Sequence, residues 1–512
     1  MRFLKSLFSR WVIISIVILI QIFLFCALLF IFSSQYIYVS IICEVLSLLV
    51  LIELLMNRDN PNHKIPWIII ILILPPAGLL IYLMFGKGYV SKKHKKLYQS
   101  ASDRQSKYII ENNEVKNKLI SYSDKYYLQS NYIFKTSKMP LFNNTEVKFL
   151  SSGEAYFKSL LDDLKQAKHF IFLEYFILGK GKLLDEIIDI LTQKANEGLD
   201  VRVIYDDIGS IKVLPYNFNK ILNEKKIKCI KFNKYNPFVS SVYNNRDHRK
   251  IAVIDGYIGY TGGVNIADEY INYIEKFGYW KDNGIRLYGE AVLNFTLMFL
   301  KTYDVYSNEK TNYDDYMPYK YHNNEFNNDG FVQPFGDGPS PIYDNYIGEN
   351  VYLNMINQAT KYVYITTPYL IVDHLLMTAL ESAAKRGVDV KIITPGIPDK
   401  KIIYKVTRDS YGSLIKAGVK IFEYQKGFIH AKTIVVDDEA AVVGTINFDY
   451  RSLVHHFECG CFMIKTSCIN DIKADFLDTL SESKIPPKKA YITKNILKRI
   501  YLGILKFFAP LM

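Results

Sequence analysis

Apolar residues run almost unbroken through the first 85 positions; after about Val147 they split into short β-rich runs separated by amphipathic stretches. Trp11 to Phe32 is uncharged and long enough to cross a hydrocarbon core of ~30 Å, which takes about 20 helical residues. It follows Arg2, Lys5 and Arg10, but it is too long for a signal-peptide core and lacks a small-residue cleavage site, so it reads as an anchor. A second run, Ile37 to Met56, contains Glu44 and Glu53; a third, Pro66 to Phe85, contains Pro75 and Pro76. The polar link Asn57-Arg58-Asp59-Asn60-Pro61 makes the last two a helical hairpin. Residues 1–90 are thus expected to form a transmembrane helical region with segments 11–32, 37–56 and 66–85.

Lys87, Lys92, Lys93, Lys95 and Lys96 follow the third run and place that end, with the rest of the chain, on the cytoplasmic side. Three full crossings would put Arg2, Lys5 and Arg10 on the opposite side, against the same rule, unless one segment is interfacial or re-entrant. The number of spans therefore stays open. Glu44 faces either a function inside the bilayer or a neighbouring helix.

The later pattern alternates strand and helix, and it occurs twice. Ala155 to Ala167 predicts a helix, His169 to Tyr175 a buried strand, Leu183 to Ala195 a helix and Val201 to Tyr205 a strand. Val351 to Thr360, Val363 to Thr366, Leu375 to Ala384 and Val388 to Ile393 repeat that order. Gly198 and Gly387 each stop a helix before a strand. The fold class is α/β, with two related lobes over 140–302 and 331–482. Between them 303–330, rich in Asn, Tyr and Asp, reads as an exposed linker, and 490–512 places apolar and basic residues at helical spacing, as in a basic amphipathic helix on an anionic membrane or a terminal helix packed on the domain.

A chain of 512 residues suits two or three domains, and 49% hydrophobic with 22% charged residues excludes wholesale disorder. The net charge of +12 suits an anionic partner, either nucleic acid or an anionic bilayer; the membrane runs decide for the bilayer and against nucleic acid. Six scattered cysteines, without C-x-x-C pairs, read as buried free thiols in a reducing compartment. No metal and no cofactor is expected.

The chemistry lies in His248-Arg249-Lys250 followed by Asp255, and His430-Ala431-Lys432 followed by Asp437, the same H-x-K-x4-D spacing 182 residues apart. Gly262 and Asn265 are matched by Gly444 and Asn447 at that same offset, and Asp282 is equivalent to Glu458. A phosphodiester is an anion that repels nucleophiles, and its alcohol leaving group needs a proton. With His and Lys on one face of a strand, each lobe presents an imidazole and an ammonium together. One neutral histidine attacks phosphorus, the other donates to the leaving oxygen, and the lysines neutralise the non-bridging oxygens. The candidate catalytic set is His248, Lys250, Asp255, His430, Lys432 and Asp437, within which Asp255 and Asp437 read as structural turn residues. Asn265 and Asn447 are supporting neutral donors, and Asp282 and Glu458 are the acids that hold the second ring nitrogens.

The duplicated H-x-K-x4-D motif resembles the phospholipase D superfamily. Asn57-Arg58-Asp59 to Phe85-Gly86-Lys87, Glu174-Tyr175-Phe176-Ile177, Thr367-Pro368-Tyr369, Tyr424 to Lys432 and Gly444 to Ser452 narrow the resemblance to the bacterial cardiolipin synthases, over about Ile37 to Ser481. The resemblance implies one active site from two lobes and reversible condensation of two phosphatidylglycerol molecules into cardiolipin and glycerol through a phosphatidyl-histidine. It also implies His248 as nucleophile, His430 as acid and base, a multi-pass bacterial cell-membrane location, and phosphatidylglycerol and anionic membrane lipids as partners. The alternatives are a hydrolytic phospholipase D and transfer to another alcohol. The extra run Trp11 to Phe32 departs from the family's pattern, and oligomeric state is not legible in the sequence.

Overall fold

Two consecutive prolines shape the N-terminal region. The computed structural model describes residue 27 and residues 37–57, 60–86, 90, 92–234, 245–326, 330–343 and 346–511. Apart from residue 27, the apolar run over 11–32 lies outside them. The described residues divide into two compact units, one holding 37–86 and 503–511 and the other 90–233 and 246–502.

In the first unit, helix α1 (Ile37–Met56) is one arm of the expected hairpin. After it come two helices, α2 (Pro61–Ile73) and α3 (Pro75–Phe85), of 13 and 11 residues, which fold back on each other with the Trp67 and Tyr82 rings 5.5 Å apart. The run over 66–85 divides at the two prolines noted in it: Pro75 and Pro76 have no N–H to continue the ladder, and α2 ends before them. Asn60 caps α2 by accepting from Asn62 N at 3.0 Å. Leu54, Trp67, Ile71 and Tyr82 form a small core, while Ile42, Leu48, Leu49 and Leu55 of α1 face outward. Among the described residues no helix is long and apolar enough to cross a membrane.

The second unit contains two sheets with the same plan. The first uses β1 (Thr145–Leu150), β2 (Phe170–Tyr175), β3 (Asp200–Asp206), β4 (Lys228–Phe232), β5 (Lys250–Ile254), β6 (Ile258–Gly262) and β8 (Gly284–Gly289), in the order β1-β8-β6-β5-β2-β3-β4. A short strand β7 (Tyr279–Lys281) stands apart from it. The second sheet uses β9 (Phe331–Asp337), β10 (Tyr362–Thr366), β12 (Asp389–Pro395), β13 (Lys420–Tyr424), β15 (Thr433–Val436), β16 (Ala440–Gly444), β18 (Glu458–Ile464) and β19 (Ser483–Lys484). Its order read from the far edge is β9-β18-β16-β15-β10-β12-β13, with β19 added. Strand for strand the two orders correspond, and in each the β2-β3-β4 or β10-β12-β13 trio is parallel while the rest is antiparallel. The remaining short strands are β11 (Leu370–Ile371) and β17 (Phe448–Asp449), paired with each other, and β14 (Gly427–Ile429), paired with β7.

Helices α4 (Gly153–Gln166), α5 (Lys182–Asn196), α7 (Ile347–Gln358) and α8 (His374–Lys385) fall where the periodicity predicts them. Gly198 and Gly387 stop α5 and α8 at φ 95° and 94°, a left-handed turn that a side chain would strain. Helix α6 (Val292–Ser307) is apolar nearly all round and buried nearly all round, as a helix inside a core must be. Its last turn corrects the exposed linker expected from Tyr303 onward: Tyr303, Tyr313, Tyr316 and Met317 are buried in the main core. Arg202 explains this, because it is itself buried and sits over the Tyr303 and Tyr316 rings at 4.7 and 5.3 Å. Polar composition misled because tyrosines bury their rings and keep a polar tip. The cysteines among the described residues are free thiols, and Cys229, Cys459, Cys461 and Cys468 are buried.

Candidate active site

His248 stands directly before β5, and its main-chain N donates to Phe457 O at 2.9 Å. His430 stands between β14 and β15, and its N donates to Lys281 O at 2.7 Å. Phe457 precedes Glu458 and Lys281 precedes Asp282, so each histidine is tied to the residue before the other half's acid. The side chains repeat this exchange. His248 Nδ1 lies 2.9 and 3.0 Å from the two oxygens of Glu458, and His430 Nδ1 lies 2.8 Å from Asp282 Oδ2. The expectation that both residues of each H-x-K lie within one strand is corrected: the histidines precede their strands. His and Lys are drawn together differently, since Lys250 Nζ donates to His248 O at 2.6 Å and Lys432 Nζ donates to His430 O. Lys432 Nζ is also 2.8 Å from His430 Nδ1; with the proton on Nδ1 that nitrogen donates to Asp282, and the lysine keeps its main-chain bond.

The acids are seated differently. Glu458 accepts from Thr445 Oγ1, whereas Asp282 takes the N–H of Asn283 at 2.9 Å. Gly263, the counterpart of Thr445, leaves room for Asp282: a Cβ there would stand 2.0 Å from Asp282 Oδ1. Burial, followed by Lys250, Lys432 and His430, holds the His248 imidazole well below its usual range. His430 falls to about 4 through burial and Lys432, against the pull of Asp282. Burial lowers Lys250 to about 8 and Lys432 to about 7, each partly opposed by an acid, Glu458 for the first and Asp282 for the second. Burial alone would raise Asp282, but His430 and Lys432 outweigh it and keep the carboxyl low. Burial and the cations of both motifs thus favour neutral imidazoles.

Asp255 and Asp437, placed in the candidate catalytic set, are the structural turn residues that the sequence suggests. Asp255 accepts from the N–H groups of Lys168, His169 and Phe170 at 2.8, 2.7 and 2.9 Å, and Asp437 does the same for Thr360, Lys361 and Tyr362 at 2.8, 2.8 and 2.9 Å. Both sit at positive φ, 52° and 58°, and knot the hairpin after the motif to the start of β2 or β10. Their carboxylates are thereby spent on backbone. Asn265 accepts from Ile177 N at 3.1 Å and donates to Tyr270 Oη at 2.7 Å; Asn447 donates to Asp449 Oδ2 at 3.0 Å. The amides are thus partly committed to structure, with Tyr270 edge-on to His430 at 5.4 Å.

Sequence reading passed over Arg249, the variable residue of the first motif. It is buried, pairs with Glu174 at 2.8 Å and Asp247 at 2.9 Å, and donates to Thr302 Oγ1 at 2.8 Å. Glu174 within the apolar strand Phe170–Tyr175 was the available signal, since a buried carboxylate calls for a cation. His456 stands two residues before the acid Glu458, as Trp280 stands before Asp282. It is buried, 5.5 Å ring to ring from His248; Trp280 in turn lies 5.6 Å from His430. The two imidazoles therefore differ in their neighbours. Lys400 adds a further cation to the surroundings of His248. The ligand atoms of His248, His456 and Glu458 lie within 4.8 Å of one another, with the His248–Glu458 edge already a hydrogen bond.

The chain is similar to known proteins in sequence and fold. The family described as cardiolipin synthase, PLD-like domain, matches residues 160–277 and 352–480, and the phospholipase D-nuclease N-terminal family matches 45–87. An uncharacterized protein of Streptococcus mutans serotype c is 42% identical over 88% of this chain and 96% of its own. Cardiolipin synthase 2 of Bacillus anthracis is 34% identical over 89% of this chain and 88% of its own. The crystal structure of phosphatidylserine synthase from Haemophilus influenzae Rd KW20 superposes with a TM-score of 0.57 at 14% identity, covering 75% of this chain and 99% of that one, and so shares the fold. Two sheets of one plan, a histidine-lysine pair in each and these relatives together establish that the chain belongs to the cardiolipin synthase family of phospholipase D-like enzymes.

Proposed function

We propose that the protein is a cardiolipin synthase that moves a phosphatidyl group between two phosphatidylglycerol molecules, with His248 as nucleophile and His430 as acid and base. The observation that carries this reading is the exchanged pairing of His248 with Glu458 and His430 with Asp282. The phosphodiester enters between the motifs, with Lys250 and Lys432 against its non-bridging oxygens. Its charge raises the imidazole pKa values that the lysines had lowered, so His430 takes up a proton while His248 stays neutral. The His248 Nε2 lone pair forms the P–N bond, the bond from phosphorus to the glycerol headgroup oxygen breaks, and His430 gives that oxygen its proton. Glycerol leaves. The headgroup hydroxyl of a second phosphatidylglycerol then loses its proton to His430 and attacks phosphorus; the P–N bond breaks and cardiolipin results. One phosphodiester replaces another, so the reaction is reversible and needs no external energy source.

Lobes over 140–302 and 331–482 would supply the two motifs. The outward apolar face of α1, and the exposed lysines of the helix Lys92–Gln105, support a bacterial cell-membrane location with the catalytic lobes on the cytoplasmic side. The test is to give the detergent-solubilised full chain phosphatidylglycerol without added metal and to quantify products, alongside His248→Ala and His430→Ala. Cardiolipin and glycerol in equal amounts, lost in both variants, are expected. Phosphatidic acid as the sole product would make water the acceptor and overturn the synthase reading.

A further inference from the structure

Helix α9 (Lys401–Ala417) and residues 489–502 enclose a cleft of about 350 Å³ that no residue of either motif lines. Lys401, Lys405, Lys489 and Lys498 line it with Tyr404 and Tyr491, against one acid, Asp409. Arg408 also reaches the cleft but is already taken by Glu423, at 2.7 and 2.6 Å. Lys405 stands over the Tyr501 ring at 5.4 Å, and none of the four lysines has an ion pair among the described residues. Unneutralised ammonium groups gathered on one wall attract an anion.

The wall continues into helix α10 (Ile496–Phe508), which has no buried residue. Ile496, Leu497 and Ile500 are 62%, 73% and 54% exposed. A helix of 13 residues is marginal on its own in water, so an apolar side left uncovered needs a surface to lie on. Lys498 and Arg499 sit among these residues, so one element presents both charge and apolar area.

We propose that this cleft and residues 496–502 of α10 form a second, non-catalytic lipid site, in which the lysines take the phosphate of an anionic phospholipid while Ile496, Leu497 and Ile500 enter the adjoining acyl layer. The occupant is an anionic bilayer, because the cations match its headgroups and the apolar residues match its interior. The site is independent of the chemistry at His248. It holds the second lobe against the leaflet, where substrate lies in two dimensions.

The full chain reconstituted in phosphatidylcholine vesicles, with and without phosphatidic acid, tests this by hydrogen exchange over residues 488–502. Phosphatidic acid is used so that turnover of phosphatidylglycerol does not enter. Exchange should slow by about tenfold or more with the anionic lipid, and the slowing should vanish in Lys401→Glu/Lys405→Glu/Lys489→Glu and weaken in the corresponding glutamine variant. Activity of both variants towards detergent-dispersed phosphatidylglycerol should persist, which shows that they fold. Equal slowing in pure phosphatidylcholine would overturn the proposal, as would slowing that survives charge reversal. Slowing by inorganic phosphate in detergent alone would make it a free-anion site and overturn the bilayer as occupant.

Discussion

Glu458, on the second sheet, holds the Nδ1 of His248, directly before β5 of the first, from 2.9 and 3.0 Å. Asp282 returns the arrangement for His430 at 2.8 Å. Each half thus supplies the acid for the other half's histidine, so the pairs form only when both sheets are folded and docked. Glu458→Gln keeps the shape but alters which tautomer is held. We expect kcat to fall about 10²–10⁴-fold, by analogy with an amide in place of a histidine-orienting acid, with the melting temperature nearly unchanged. A rate equal to the parent's would remove the pair from the mechanism.

The lysines set an alkaline limit. Burial brings Lys432 to about 7 and Lys250 to about 8, and an ammonium loses its charge as pH rises through its pKa. The rate constant kcat/KM should therefore decline above about pH 7 to 8. A guanidinium stays charged throughout, so Lys432→Arg should move the alkaline limb upward while lowering the maximum through changed geometry. A profile flat to pH 9.5 or so would contradict the depressed ammonium values.

Stability has its own pH window. His430 is buried and neutral in the folded state at about 4, against an ordinary 6.5. Below 6.5 the unfolded chain binds the proton first, so stability is present above that pH and drains away as pH falls toward 4. Melting temperature should drop across that interval, and His430→Gln should flatten the drop. No difference between the two slopes would mean that His430 keeps its proton in the fold.

Asp255 and Asp437 should matter to folding more than to chemistry. Asp255→Ala leaves three main-chain N–H groups without an acceptor and puts alanine at φ 52°. A loss of about 1–3 kcal/mol in unfolding free energy is expected, with kcat per folded molecule preserved. Should kcat collapse while denaturant midpoints stay put, Asp255 would return to the reaction.

Arg249→Met leaves Glu174 and Asp247 buried without their cation. Breaking one partner of a buried pair costs about 3–5 kcal/mol, and that loss should be read in thermal unfolding. The double change Arg249→Met with Glu174→Leu should recover part of it. A single variant as stable as the parent would show that the two carboxylates are not held as ions.

The H-x-K-x4-D repeat was legible because the residues of each motif are close in sequence and the copies stand in register, 182 apart. Strand and helix order in both halves followed from hydrophobic period, and the left-handed stops at Gly198 and Gly387 followed from glycine alone. The division of the third apolar run at residue 74 follows from a local signal that the sequence shows, two adjacent prolines. The buried tyrosines of 303–317 were not legible, since only the packing of Arg202 shows what their rings touch.

Residue types and spacing in the sequence determined which side chains are available for chemistry and that the site is built twice. Only the tertiary structure decided which acid serves which histidine, that Arg249 is a buried tie where Ala431 is none, and that Trp280 flanks one imidazole and His456 the other. Those facts depend on which faces of two sheets meet. Local periodicity records that a face is apolar, but its partner is chosen by packing between residues as far apart as His248 and Glu458.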